Sequence, residues 1–158
     1  MDAELKIEEL KELISNNQKL YLEDFFDVHS NYFEDLNNFN EILIYTIECA
    51  TASTKILKYI INLREDKNLN YYILTKPTED SESNNESNTK IKIPLFEAVK
   101  NNFFDKANIL ISYKADKVDI NYSYQQNIFD YLYNSKCLST KTLKYILSSK
   151  YNITLSII

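Results

Sequence analysis

Apolar positions recur along most of this chain at the spacing of a helix face rather than that of a strand. In residues 3–15, Leu5, Ile7, Leu10, Leu13 and Ile14 fall on one side, with Glu4, Glu8, Lys11 and Glu12 opposite. A second apolar stretch, Leu20 to Val28, follows after Asn16-Asn17. Residues 42–48 (ILIYTIE) and 55–63 form another pair. In the latter, Ile56, Leu57, Tyr59, Ile60, Ile61 and Leu63 make a wide stripe against Lys55, Lys58 and Asn62. Two further pairs follow, 94–100 with 105–111 and 127–133 with 139–147. Ser53 and Ser139 stand just ahead of two stripes, where a hydroxyl can accept an orphan N–H of a helix start. The pattern predicts an all-α chain of about four helix pairs, with Tyr59 and Tyr145 at matching core-side positions.

The pairs are also related in sequence. STKILKYII at 53–61 returns as STKTLKYIL at 139–147, identical at seven of nine positions and offset by 86 residues. Leu95 and Ile128, the matching starts of two first helices, are 33 residues apart. Paired stripes of this kind cannot bury themselves alone, but they can when stacked on neighbours. Residues 77–90 (PTEDSESNNESNTK) interrupt the pattern with no aliphatic or aromatic residue, four acids and one Lys. That composition predicts a solvated, disordered acidic loop inserted between the second and third pairs. Loop closure entropy grows only as the logarithm of length, so one continuous domain over residues 1–158 survives the insertion. Within that loop Ser83 lies three residues before Glu86, a pattern acidophilic kinases accept, and it is the candidate phosphosite.

Composition narrows the chemistry. The chain has no Gly and one His among 158 residues, where roughly ten glycines are ordinary. Phosphate loops, dinucleotide turns, nucleophile elbows and calcium loops all need a Gly, and zinc motifs of the HExxH type need two His. Residues 1–40 carry ten acids against three lysines, and residues 91–158 nine lysines against five acids. A net charge of −5 with a single Arg argues against nucleic acid as a partner. No apolar run approaches the ~20 residues that span a bilayer. The acidic N-terminus is unlike a presequence. Cys49 and Cys137 have no metal or disulfide spacing and read as small buried or half-buried thiols in a reducing cytoplasm. His29 beside Glu23, Asp24 and Asp27 is the one acid–base or metal constellation worth weighing, against the plainer reading of a solvated helix face.

Residues 93–121, IPLFEAVKNNFFDKANILISYKADKVDIN, closely resemble an ankyrin repeat. Pro94-Leu95 matches the pair that opens the family's first helix, and Ala98-Val99 the small pair where the helices pack. Ala115-Asp116 with Asn121 matches the turn out of the second helix, and the 33-residue interval is one repeat length. Asn102 and Lys114 stand where the family usually has Gly; Asn tolerates a left-handed backbone and Lys less so, which predicts irregular turns. The other pairs are more degenerate and are similar to Gly-poor ankyrin-like arrays of AT-rich genomes such as those of anaerobic gut fungi. The resemblance implies a solenoid that binds another protein, without catalysis, cofactor, membrane or small-molecule substrate. It places Tyr45, Glu48, Glu97, Lys100, Asp130 and Tyr133 on the outward side of the first helices, lining a concave surface, and Tyr122 and Tyr124 in a projecting turn. The apolar tail 152–158 is expected to fold back as a short cap, the alternative being a chain cut from a longer array. A compact helical bundle gripping a partner helix, and an enzyme built on the acids around His29, are the competing classes.

Overall fold

The computed structural model describes residues 3–64, 73–75, 90–113 and 128–148. Eight α-helices run through the described residues: α1 (Ala3–Ser15), α2 (Lys19–Val28), α3 (Leu36–Glu48), α4 (Thr54–Asn62), α5 (Pro94–Lys100), α6 (Phe104–Ser112), α7 (Ile128–Asn134) and α8 (Thr140–Leu147). A 3-10 turn, Tyr32–Glu34, leads into α3. Their starts follow from local chemistry. The Asp35 side chain accepts the N–H of Asn37 at 2.9 Å ahead of α3. Ser53 accepts that of Ile56 at 3.3 Å ahead of α4, as its position predicts. Ser139 and Thr142 cap each other's backbone N–H groups ahead of α8. Pro94 opens α5, where its missing N–H would have had no partner anyway.

The fold is predominantly helical, with one addition that the periodicity does not reveal. Short strands β1 (Ile73–Thr75) and β2 (Lys90–Lys92) pair antiparallel, Ile73 opposite Lys92 and Thr75 opposite Lys90. Lys90 therefore belongs to a strand and not to the predicted acidic loop. The pairing draws together the two ends of the segment that carries Ser83, and Ser83 itself lies outside the described residues, as does the 152–158 tail.

Packing follows chain order twice over. Among the first helices, α1 packs on α3, α3 on α5 and α5 on α7, while each helix pair α1–α2, α3–α4 and α5–α6 packs within itself. The second helices meet in the same order. Phe26 of α2 lies 6.3 Å from the ring of Tyr59 in α4, α4 packs on α6, and Tyr145 of α8 stacks on Phe104 of α6 at 4.5 Å and 11°. The core between these two rows is mainly aliphatic and aromatic: Leu10, Ile14, Phe39, Ile42, Leu43, Ile47, Ile56, Leu57, Ile60 and Ile61 are all buried. Tyr59 and Tyr145 pack against it half-buried, where the repeat predicts them.

Three first helices end identically without a glycine. Asn17, Asn102 and Lys136 take left-handed φ values of 55°, 60° and 58°. At each, the left-handed residue donates its N–H three residues back and the following residue five back: Asn17 to Ile14 and Gln18 to Leu13, Asn102 to Val99 and Phe103 to Ala98, Lys136 to Tyr133 and Cys137 to Leu132. This is the Schellman closure, which glycine usually serves because it has no Cβ to crowd the carbonyl. At Asn102, where the missing Gly led to the expectation of an irregular turn, the closure is regular, and Lys114 lies outside the described residues. The turn after α3 departs from this pattern: Cys49 is extended, with φ −75° and ψ 110°.

Candidate functional site

The absence of that closure after α3 leaves terminal carbonyls to be satisfied otherwise, and Lys106 of α6 satisfies them. Its ammonium donates to the carbonyls of Thr46, Ile47 and Cys49 at 2.9, 3.2 and 2.6 Å, and lies 4.8 Å from the ring centroid of Phe103. The residue is only 5% exposed. Burial pushes its pKa below the ordinary lysine value, and a nearby Cys49 thiolate would act the other way. The negative end of the α3 dipole holds a cation there. Beside it, burial pushes the Cys49 thiol up, but hydrogen bonds from Thr51, the backbone of Ala52 and Thr51, and Tyr45 outweigh this and leave it below its usual value. Cys49 and Cys137 are both free, as their spacing predicts, and both half-buried.

A second cluster lies along the first helices. Glu48 at the end of α3 pairs with Lys92 of β2 at 2.5 Å. Glu97 in α5 accepts a short hydrogen bond from the Tyr131 hydroxyl of α7, and Lys100 approaches the same carboxylate at 3.7 Å. The Tyr131 ring meets Phe96 edge-on at 5.4 Å. Burial raises the Glu97 carboxyl above its ordinary range and Glu48 adds to this, while Tyr131, Lys100 and Lys92 partly offset it. The Tyr131 phenol is raised as well, by burial first and then by the Glu97 charge. Tyr45 sits half-buried against the core, with the Lys11 ammonium 5.4 Å from its ring centroid. Burial is also the main cause that raises its phenol.

These positions correct one expectation and refine others. Glu97 does not face outward: it is 2% exposed, buried with its neighbours Pro94, Leu95, Phe96, Ala98 and Val99. The seven-residue α5 is held between α3, α6 and α7, so burial extends all round it and only Lys100 reaches partly into solvent. Tyr45, Glu48 and Lys100 are half-buried, while Asp130 and Tyr133 are exposed on α7. Tyr122 and Tyr124 lie outside the described residues. Sequence reasoning missed Lys106 and Tyr131. A signal existed for Lys106, because it shares the helical stripe of Phe103, Ala107 and Leu110.

The acids near His29 do not converge on a common centre. Glu23 pairs with Lys19 at 3.6 Å, Asp24 and Asp27 are exposed, and the His29 ring packs on Phe25 at 4.7 Å at the end of α2. Among the described residues no group of three or more His, Cys, Asp or Glu could hold a metal ion. Among those residues, no helix is long and apolar enough to cross a membrane. No protein family, curated protein or solved structure matches this chain.

Proposed function

We propose that the chain is an ankyrin-like stack of four helix pairs that binds another protein through the face of its first helices. The observation that carries this reading is the double order of packing, in which first helices meet first helices and second helices meet second helices along the chain. A stack of that kind presents successive helices side by side, so residues from α3, α5 and α7 share one surface. Tyr45, the Glu48–Lys92 pair, Lys100, Asp130 and Tyr133 are the side chains that reach it. Mixed charge with aromatic rings suits a folded protein partner better than a polyphosphate. Glu97 supports the surface from beneath through Tyr131 and Lys100 instead of touching a partner. Binding needs no cofactor and no bond-making, and the two free thiols suit a reducing cytoplasm.

The same contact order weighs against a compact bundle, where a central helix would be wrapped by helices remote in sequence. Photo-crosslinking in host extract tests the face directly. A photoreactive amino acid at Lys100 or Tyr133 should trap the same partner band, while one at Lys58 on the exposed side of α4 should trap none. Equal trapping from all three positions, or trapping from Lys58 alone, would remove the first-helix face from the account.

A further inference from the structure

Tyrosine hydroxyls join the pair α7–α8 to the pair before it. Tyr145 of α8 donates to the Asn108 side chain of α6 at 2.7 Å, and that amide has no charge to gain or lose. Tyr131 of α7 donates to Glu97 of α5, whose charge depends on pH. Both partners of this second bond lie in the core, Tyr131 at 6% and Glu97 at 2% exposure. The charged and titratable groups around Glu97 come from every element packed on α5. Glu48 faces it from α3 and Lys92 from β2, but these two are already paired with each other at 2.5 Å. Lys100, one turn along α5, stands 3.7 Å from the carboxylate, beyond direct hydrogen-bond reach. On α6, the Lys106 ammonium is committed to the end of α3, and Asp105 is exposed. On α7, Asp130 is exposed beside Tyr131.

An ionised Glu97 therefore has fewer partners in the core than a carboxylate finds in water, and burial raises its pKa for that reason. A protonated Glu97 carries no charge to solvate and still accepts from Tyr131. The helix best able to respond is α7. It has seven residues, and among the described elements it packs chiefly on α5. Elements with few packed neighbours open on their own, at less cost than global unfolding. Swinging α7 away admits water to Glu97, so the open state favours the charged carboxylate. We infer that Glu97 is a proton-operated latch: its protonated form holds α7 against α5, and proton release loosens α7. Asp130 and Tyr133 ride on that helix, so the latch sets whether the first-helix face is complete. That consequence rests on the face proposed above, whereas the latch itself is a property of the free chain.

Amide hydrogen exchange on the full chain, without any partner, reads the latch apart from the face. Rates corrected for the intrinsic effect of pH give the protection of α7 and, for reference, of α4. Because α7 opens alone, it should be about tenfold or more less protected than α4. Its protection should fall by up to about tenfold per pH unit from the ordinary carboxyl value to the raised one, and level off above. In Glu97→Gln that fall should vanish. Tyr131→Phe takes the donor from the ionised form, so there the fall should continue to higher pH before levelling. Circular dichroism checks that each variant keeps the helix content of the parent, and Tyr131→Phe carries the test if Glu97→Gln does not fold. Equal protection of α7 and α4, a fall that persists in Glu97→Gln, or a Tyr131→Phe profile identical to the parent's would each overturn the latch. If all three results hold while crosslinking from Tyr133 fails, the face is at fault and the latch stands.

Discussion

Three carbonyl oxygens at the end of α3 share one ammonium, and that arrangement makes Lys106 the most demanding single residue in the molecule. Replacing it with Met keeps the stem but takes the ammonium from the Thr46 and Ile47 carbonyls, while the Cys49 carbonyl keeps the Ala52 N–H. The expected loss is about 2–4 kcal/mol of unfolding free energy in urea, well above the cost of an ordinary surface substitution. A loss below about 0.5 kcal/mol would show that water serves those carbonyls equally well. Glu97 carries a pH dependence of definite sign. Its folded pKa is raised by burial, so the folded state holds the proton more tightly than the unfolded chain does. The associated stability is fully present below the ordinary carboxyl value and is lost as pH rises through the raised one. Glu97→Gln removes that loss while keeping an acceptor for Tyr131. Urea midpoints of Glu97→Gln relative to the parent should therefore improve as pH rises above the ordinary carboxyl range. A difference that does not change with pH would mean that Glu97 ionises as freely as a surface carboxylate. Neither residue was legible from its type, since Lys and Glu in a polar-rich sequence read as solvated. For Glu97, burial was decided by which helix lay opposite, which one sequence does not display; for Lys106 its place on the stripe of Phe103, Ala107 and Leu110 was the one signal.

At the scale of elements the helices were legible and their terminations only partly so. The spacing of apolar positions marked all eight helices, and Ser53 and Ser139 marked two starts. The Schellman turn at Asn102 was readable because Asn is the best non-Gly residue for it, whereas Lys136 gives no such signal. The β1–β2 ribbon was invisible because two three-residue strands are too short for alternation to register. The shared turn geometry has opposite consequences at two positions. Lys136 is exposed, so Lys136→Gly relieves Cβ crowding and should stabilise by about 1 kcal/mol. Asn17 has a second role: its amide nitrogen donates to the Thr51 carbonyl at 2.7 Å, and its oxygen accepts the Ser53 N–H at 2.8 Å. It thereby ties the first turn to the second across neighbouring pairs. Asn17→Gly loses both bonds, so the relief is outweighed and a net loss of about 1 kcal/mol is expected. Thermal or urea denaturation of the two variants decides it, and equal shifts in the same direction would contradict the tie.

For the whole molecule, the near-identity of 53–61 and 139–147 was the decisive feature of the sequence, and it corresponds to α4 and α8, two members of one row. The face of that row was legible because it is amphipathic. The first-helix face was less so: α5 is buried nearly all round, so Glu97 does not face outward, whereas Tyr133 on α7 is exposed. The stacking claim can be measured as distance. Spin labels at exposed Asp24 in α2, Asp105 in α6 and Lys144 in α8, with Cys49 and Cys137 replaced by Ser, report the length of the row by electron–electron resonance. Neighbouring helices pack about 8–10 Å apart, so the Asp24–Lys144 separation should exceed Asp24–Asp105 by about one such step. Equal separations, or a shorter Asp24–Lys144 distance, would mean that the last pair folds back on the first and that the molecule is not a stack.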